Sequence, residues 1–372
     1  MAHIRAAIAD AGGWVPFDRY MALALYSPGL GYYAAGATKL GPAGDFTTAP
    51  EMTPLFGHAM AKQVAAILAA TERRQVVELG AGTGALAASL LGGLEAASSL
   101  PSRYLILEPS PDLRERQRTT LAAQAPHHAA LVGWIDTLPA SVEGAVIANE
   151  VLDAIPTHIV CRRQGAFFER GVAIAPETSP LHQGFVWTER PAPARLAALA
   201  QSRFPDVDDY LSELNPAAEA LVEHLGRRLD SGAALFIDYG FPAHEYYHPQ
   251  RAAGTLMCHY RHHAHDDPFV YPGLTDITAH VDFTAMASAG QRAGLEVAGF
   301  VAQAPFLLGC DLLDGLATVG PPESVPYIKA ASQVQKLLSP AEMGELFKVL
   351  ALSRSPGIAW PGFALADRRH RL

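Results

Sequence analysis

The feature that most constrains the fold of this chain is a glycine-rich turn directly after a short apolar run. The run ends at Glu78-Leu79, and glycine then occupies three alternate positions, Gly80, Gly82 and Gly84. Glycine lets the backbone approach a ligand where a Cβ atom would clash. The pattern therefore predicts a strand, a tight turn and a helix, with bare main chain facing a bound small molecule at the turn.

A second apolar run ends in an acid, Glu108, thirty positions after Glu78. An acid at the end of the second strand of such a unit can accept hydrogen bonds from ribose hydroxyls. Together the two features resemble the S-adenosyl-L-methionine (SAM) site of a class I methyltransferase. In this interpretation the glycines face the methionine part and the ribose, Glu78 holds the ammonium group, and Glu108 holds the ribose. The predicted cofactor residues also include Ser110.

Two other nucleotide sites fit the glycine pattern less well. A nicotinamide site reads G-x-G-x-x-G, with a pyrophosphate at the helix N-terminus. Here the third glycine comes one residue too early, and Glu78 would place a negative charge beside the diphosphate. The sequence also has no Walker A lysine motif. A glycine-rich turn that binds no ligand stays open as the structural alternative.

Composition excludes several partners. The formal net charge of −9 argues against a nucleic-acid-binding surface, which needs a basic stripe, and it suits a basic peptide. No segment is apolar and long enough for membrane insertion. The three cysteines lie far apart, which favours a reducing compartment. Residues 1–20 contain two aspartates and do not read as a targeting signal, so we expect a cytoplasmic protein.

Apolar runs alternate with helical patterns along much of the chain, which predicts an α/β fold with a Rossmann-like, mostly parallel, seven-stranded sheet. The predicted strands are 75–79, 103–108, one ending near Trp134, 145–148, 233–237, 296–302 and 362–366. The methyltransferase core then comprises residues 71–150, 230–303 and 356–372. The other predicted segments are an N-terminal helical, cofactor-covering segment 1–70, an inserted substrate-side subdomain 151–229 and a helical insertion 304–355.

The end of the fourth strand carries the candidate catalytic residues, Glu150 and Asp153, directly after a cofactor candidate, Asn149. A helical turn would bring residues three apart to one face. Two carboxylates match the planar donors of a guanidinium, and they can position it and accept its proton. The alternative is that Asp153 caps a turn and Glu150 faces solvent.

Other candidates keep two interpretations each. Thr47 and Thr48 either cap the following helix or close over the cofactor. Trp134 and Ile135 flank an adenine, or Trp134 belongs to the core. Asp136 accepts from the adenine amino group or lies in a turn. The candidate substrate-binding residues are Asp45, Glu51, His280 and Asp282. Asp45 shares the capping alternative of the two threonines, and for His280 and Asp282 the alternative is a helix cap by Asp282 or Thr278.

Four histidines lie close together in the sequence, in a predicted long loop. They are His259, His262, His263 and His265, with Cys258 beside them. No second pair of ligands has matching spacing, so the sequence predicts no metal site. Loop histidines that bind substrate or pack against neighbouring aromatic rings are the favoured interpretation.

Several blocks together resemble the MidA-like family of SAM-dependent methyltransferases. They are Tyr20–Tyr26 with Gly31-Tyr32-Tyr33, Gly44–Glu51 with Phe56-Gly57, Glu78–Gly84, Asn149–Pro156, Asp238-Tyr239-Gly240 and Thr278–Phe283. The resemblance implies SAM as cofactor and a protein arginine as substrate, with symmetric dimethylation and respiratory complex I assembly in mitochondrial members. The lack of an evident presequence predicts a bacterial, cytoplasmic member; a eukaryotic one would reside in the mitochondrial matrix. A non-enzymatic assembly factor with a SAM pocket and a small-molecule methyltransferase are the alternatives.

Overall fold

The computed structural model describes residues 1–34, 48–176 and 184–372. Two candidates from the sequence, Asp45 and Thr47, lie outside these residues. The α-helices of the described residues are α1 (Ala2–Asp10), α2 (Phe17–Tyr26), α3 (Ala49–Met52), α4 (Leu55–Ala69), α5 (Ala85–Ala96), α6 (Pro111–Gln124), α7 (Ala194–Arg203), α8 (Pro216–Arg228), α9 (Ala243–Tyr246), α10 (Phe283–Arg292), α11 (Gln303–Gly309), α12 (Leu312–Ala317) and α13 (Val325–Leu338).

The β-strands outnumber the seven that the sequence predicted for the core sheet. They are β1 (Trp14–Pro16), β2 (Gln75–Leu79), β3 (Arg103–Leu107), β4 (Val132–Ile135), β5 (Val142–Asn149), β6 (His158–Arg163), β7 (Ala166–Ile174), β8 (Phe185–Pro191), β9 (Tyr210–Leu214), β10 (Leu229–Phe241), β11 (Met257–Tyr260), β12 (His263–His265), β13 (Asp276–Thr278), β14 (Val281–Asp282), β15 (Glu296–Ala302) and β16 (Phe347–Ser353). Short 3-10 helices cover Pro126–Leu131, Pro361–Phe363 and Arg369–Arg371.

The chain divides into two compact units, each built from several stretches of sequence. We name them by their main sheets. The five-stranded unit contains the described residues of 1–46, 153–219 and 241–282, and the seven-stranded unit contains those of 47–152, 220–240 and 283–372. The sequence had placed residues 1–70 in one segment, whereas the structure groups 1–34 with the first unit and 48–70 with the second.

The seven-stranded unit is the predicted mostly parallel sheet, and its strand order is β15-β16-β10-β5-β2-β3-β4. The strands from β10 through β4 pair in parallel, while β16 is antiparallel to both β10 and β15. Apolar residues dominate β2, β5, β10 and β16, and most are buried. Strands that are apolar on both faces are typical of a parallel sheet covered by helices on each side. The structure therefore confirms the predicted fold class.

The strand prediction was wrong at the C-terminal end of the chain. Residues 362–366 form no strand, and the 3-10 helix Pro361–Phe363 lies there. The seventh strand is instead β16, inside the segment predicted to be a helical insertion. All seven residues of β16 are buried, and a short, continuously buried run has no alternation by which a strand can be told from a helix.

The five-stranded unit is antiparallel. Its sheet has the order β1-β7-β6-β9, with β8 added on β7. The histidine-rich segment predicted as a long loop contains a small antiparallel sheet of the order β12-β11-β13. Aromatic side chains fill part of the core; Tyr20 meets the rings of Phe185 and Phe269 edge-on at 5.6 and 5.5 Å. None of the helices in the described parts of the chain has the length and apolarity that a membrane span requires.

Candidate functional site

The glycine-rich turn connects β2 to α5 with an unusual backbone. Gly80, Gly82 and Gly84 have φ angles of 60°, 53° and 88°, a region that residues with a Cβ atom rarely adopt. At Gly84 a Cβ atom would also lie 3.1 Å from the Cα atom of Gln117 in α6. Glycine is therefore required at Gly84 both by its backbone conformation and by the close approach of α6.

Glu78 lies one residue before the end of β2 and is buried at 2% exposure. The Tyr104 hydroxyl on the neighbouring strand β3 donates a 2.6 Å hydrogen bond to its Oε2 atom. Burial raises the pKa of Glu78 to about 7; the bond from Tyr104 opposes this rise and the charge of Glu108 adds to it. Glu78 is thus a buried carboxyl group that titrates near neutral pH.

Glu108 directly follows β3 and is also buried, at 4% exposure. Its Oε1 atom accepts a 2.9 Å hydrogen bond from the Ser110 backbone N–H, and its Oε2 atom accepts one of 3.2 Å from Gln117 Nε2. Burial raises the pKa of Glu108, while these two donors and the charge of Arg114 act in the opposite direction. Ser110 also caps α6, because its Oγ atom accepts from the Leu113 N–H at 3.4 Å.

Gln117 is a central residue of this region that the sequence analysis missed. Besides bonding Glu108, its Nε2 atom donates to the Gly82 carbonyl at 3.0 Å, and its Oε1 atom accepts from Trp134 Nε1 at 2.8 Å. The side chain is fully buried. A glutamine in a mostly polar helix carries no pattern that separates it from its exposed neighbours, so no sequence signal identified it.

The three candidates around β4 differ in their surroundings. Trp134 is half-buried, and the Arg118 guanidinium lies 4.7 Å from its ring centroid. The Ile135 carbonyl accepts hydrogen bonds from Arg114 at 3.0 Å and from the Glu108 N–H at 3.3 Å. Asp136 has an exposed carboxylate that pairs with Arg114 at 2.5 Å. The ion pair with Arg114 thus adds a partner for Asp136 that the sequence did not suggest.

The end of β5 places Asn149 and Glu150 at the same sheet edge as Glu78 and Glu108, since β5 pairs in parallel with β2. Asn149 Nδ2 donates to Glu150 Oε1 at 3.1 Å. Asn149 Oδ1 is buried and receives no hydrogen bond from the described residues. Glu150 has a φ angle of 53°, and its N–H donates to the Ile237 carbonyl at 2.8 Å.

The residues after Glu150 form bends and a turn, so the helical turn considered for Glu150 and Asp153 is absent. Because Glu150 has a positive φ angle, it does not continue β5, and the chain turns away from the strand direction at this residue. Asp238, which follows the Asn149 partner Ile237 within β10, accepts from the Leu152 N–H at 2.9 Å and fixes this turn.

Glu51 and Thr48 form a capping box at the start of α3. The Glu51 Oε2 atom accepts from the Thr48 N–H at 3.4 Å. Its Oε1 atom accepts from the Thr83 hydroxyl at 3.1 Å, which ties α3 to the glycine-rich turn. Glu51, a candidate substrate residue, therefore has a direct contact with the candidate cofactor turn.

The five-stranded unit contains Asp153, His280 and Asp282. The Asp153 carbonyl accepts from the Ala279 N–H at 3.0 Å, next to His280. The His280 ring stacks on Phe241 with centroids 5.3 Å apart and an interplanar angle of 3°. Asp282 is buried at 9% exposure and lies 3.9 Å from the Arg203 guanidinium. Three predicted residues thus belong to this unit, and the backbone bond between Ala279 and Asp153 brings two of them, Asp153 and His280, near each other.

A histidine and two carboxylates that do not belong to the predicted histidine segment form a cluster in the five-stranded unit. His158 Nδ1 lies 2.6 Å from Glu169 Oε1, and His158 Nε2 lies 3.6 Å from Asp18 Oδ2. Burial lowers the pKa of His158, but the hydrogen bond to Glu169 and the two negative charges outweigh it, and the pKa is raised. Each ring nitrogen faces its own carboxylate, and both negative charges favour the protonated form of the imidazole.

The carboxyl edge of the seven-stranded sheet fits a nucleoside that carries an ammonium group. Glu78 and Glu108 supply two buried carboxylates at adjacent strand ends. Asn149 supplies a buried carbonyl oxygen that lacks a hydrogen-bond donor among the described residues. Buried polar atoms without partners are uncommon, and a bound ligand satisfies them. Ligands of open parallel sheets bind at this edge.

Comparison with known proteins agrees with this fit. The family model of S-adenosyl-L-methionine-dependent methyltransferases matches residues 59–301. A crystal structure of a protein from Burkholderia thailandensis bound to S-adenosyl-homocysteine is 51% identical, covers 100% of this chain and 96% of that one, and has a TM-score of 0.94. The native structure of a Burkholderia thailandensis protein is 50% identical, with the same coverages and a TM-score of 0.92.

Curated relatives are more distant in sequence. The protein arginine methyltransferase NDUFAF7, mitochondrial, of Danio rerio is 29% identical over 94% of this chain and 86% of its own length. Its human counterpart is 28% identical over 91% of this chain and 80% of its own length.

Proposed function

This chain belongs to the family of S-adenosyl-L-methionine-dependent methyltransferases, and on that premise we propose that its methyl acceptor is an arginine side chain of a protein. The cofactor is S-adenosyl-L-methionine. The observation that carries the acceptor proposal is the likeness over most of the chain to relatives named protein arginine methyltransferases. The net charge of −9 supports a basic peptide as partner.

We assign the cofactor site to the carboxyl edge of the seven-stranded sheet. Glu108 would hold the ribose hydroxyls and Glu78 the ammonium group, with Asn149 Oδ1 as a further acceptor. The glycine-rich turn keeps Cβ atoms away from the ligand. When bound, the cofactor supplies an electrophilic methyl group on a sulfonium, so the protein's contribution is binding and alignment.

Glu150 is the proposed catalytic residue of the seven-stranded unit. A guanidinium is a weak nucleophile because its lone pairs are delocalised, and methylation of one of its nitrogens releases a proton. A carboxylate can bind the guanidinium through parallel N–H donors, hold one nitrogen in line with the methyl group and accept that proton. The bond from Asn149 Nδ2 orients the Glu150 carboxylate for this role.

Asp153 stays a predicted catalytic residue, and His280 and Asp282 stay predicted residues for binding the acceptor peptide. Asp153 and Asp282 are buried carboxylates of the five-stranded unit, and negative charge there suits an arginine-containing segment. A subunit of respiratory complex I as the target also stays a prediction from the family resemblance.

The test is transfer of a labelled methyl group from SAM to host proteins, followed by acid hydrolysis and identification of the methylated amino acid. We expect labelled methylarginine with the wild-type protein. Glu150→Gln should bind S-adenosyl-homocysteine as the wild type does and lose at least about 100-fold in turnover. Glu72→Gln, at an exposed glutamate of the same unit, is the matched control.

Two results would contradict this proposal at different levels. Labelled product other than methylarginine would refute the arginine acceptor and leave the methyltransferase activity intact. Methylarginine formation at the wild-type rate by Glu150→Gln would remove Glu150 from the catalytic role.

A further inference from the structure

Gln117 contacts three parts of the proposed cofactor site from inside α6. Its side chain is fully buried and bonds Glu108, the Gly82 carbonyl and Trp134. The glycine-rich turn, the acid after β3 and the indole on β4 are therefore joined through one amide group. Packing alone does not require these three hydrogen bonds, because an aliphatic side chain of the same length would fill the same volume.

The orientation of the Gln117 amide is fixed by its partners. The indole N–H of Trp134 is only a donor, so the amide oxygen must face it. The Gly82 carbonyl and the Glu108 carboxylate are acceptors, so the amide NH₂ must face them. A flipped amide would lose all three bonds, and the donor to Glu108 is therefore held in one direction.

The carboxylate of Glu108 has room for two more donors. Its two oxygens together offer about four acceptor directions. The Ser110 N–H occupies one direction on Oε1, and Gln117 occupies one on Oε2. Among the described residues these are the donors to the Glu108 carboxylate, so one direction on each oxygen remains, which equals the number of hydroxyl donors of a ribose diol. A carboxylate that is free to rotate would not keep these two acceptor directions pointed at the diol.

We propose that Gln117 is a positioning residue that holds the Glu108 carboxylate in the orientation that accepts both hydroxyls of the cofactor ribose. The inference rests on the proposed cofactor site. It predicts that loss of Gln117 weakens binding of the ribose diol specifically, in addition to any effect on folding. Arg114, which donates to the Glu108 carbonyl at 2.5 Å, holds the backbone of the same residue.

The experiment compares calorimetric binding of S-adenosyl-homocysteine with binding of its 2′,3′-dideoxy analogue, and the ratio of the two affinities reports the diol. We expect a ratio of about 100 in the wild type, because hydrogen bonds to a charged acceptor are strong. Glu108→Ala should reduce the ratio to about 1, and Gln117→Met to below about 10. Gln124→Met, at an exposed glutamine of the same helix, should leave it unchanged.

A purely structural role of Gln117 would weaken both ligands equally. An unchanged ratio in Gln117→Met together with a collapsed ratio in Glu108→Ala would therefore overturn this inference and leave the ribose assignment standing. An unchanged ratio in Glu108→Ala would overturn the ribose assignment and the inference with it.

A second variant tests the same step if Gln117→Met does not fold, as judged by circular dichroism. Trp134→Phe removes the donor that fixes the amide and keeps the aromatic ring. We expect an affinity ratio between those of the wild type and Glu108→Ala. A ratio equal to that of the wild type would overturn the inference.

Discussion

The hydroxyl of Tyr104 donates a 2.6 Å hydrogen bond to the carboxylate of Glu78, and both side chains are buried between adjacent parallel strands. This bond is the main contact that favours the ionised form of Glu78 against burial, which raises its pKa to about 7. In the proposed cofactor site, the ammonium group pairs with the ionised form of Glu78. Protonation of Glu78 therefore links pH both to stability and to cofactor binding.

Glu78→Gln should change how stability depends on pH. Because the folded-state pKa is raised from 4.5 to about 7, the folded protein holds a proton that the unfolded chain releases. The contribution of Glu78 to the free energy of unfolding is then fully present below about pH 4.5. In the wild type this contribution falls by roughly 3 kcal/mol as pH rises to 7, and in the variant it is absent. Urea unfolding of both proteins across this range measures the difference. An identical pH profile for the variant and the wild type would contradict the raised pKa.

Tyr104→Phe should weaken cofactor binding in a pH-dependent manner. Loss of the hydroxyl removes a donor to the ionised carboxylate and raises the pKa of Glu78 further. At pH 7 the variant should bind S-adenosyl-homocysteine about tenfold more weakly than the wild type. At pH 9 the difference between variant and wild type should be smaller. Calorimetry at the two pH values checks this. Equal losses at both would show that Tyr104 acts through packing alone.

Gly84→Ala should destabilise the protein by about 2 kcal/mol, since it adds backbone strain and a contact with α6. The Cβ atom would lie 3.1 Å from the Gln117 Cα atom. Gly357→Ala is the matched control, because its φ of 79° is similar and a Cβ atom there meets nothing within 4 Å. Urea unfolding should show the smaller loss for Gly357→Ala. Equal losses would mean that the contact with α6 costs nothing.

His158→Gln should remove a stabilising contribution that exists at low pH. The raised pKa of His158 means that its ion pairs stabilise fully below about pH 6.5 and are lost as pH rises through the folded-state value. We expect the variant to lose on the order of 1 kcal/mol at pH 5.5 and less at pH 9. Thermal or urea unfolding at both values tests this, with His127→Gln at an exposed histidine as control. A loss that is larger at pH 9 would contradict the charged state.

Within the seven-stranded unit, the sequence predicted correctly those strands whose apolar run is followed by a polar residue or a helix. β2, β3 and β5 are apolar runs that end in polar residues, so the strands and the sheet edge that carries Glu78 and Glu108 followed from the pattern. β16 was missed because a uniformly buried run has no period, and its antiparallel placement between β10 and β15 depends on contacts distant in sequence.

Side-chain networks were beyond prediction for a related reason. The bonds of Gln117 join residues up to 35 positions apart, and only the folded arrangement of α6, β4 and the glycine-rich turn brings them together. The left-handed conformation of Glu150 was likewise invisible, since it depends on the bond from its N–H to Ile237 on a neighbouring strand.

The most direct test of the central claim is a crystal structure of this protein with S-adenosyl-homocysteine. We predict that both ribose hydroxyls lie within about 3.2 Å of the Glu108 carboxylate, with the amino group on the Glu78 side of the glycine-rich turn. A ligand bound elsewhere, or a ribose that makes no hydrogen bond to Glu108, would contradict the assignment of the cofactor site.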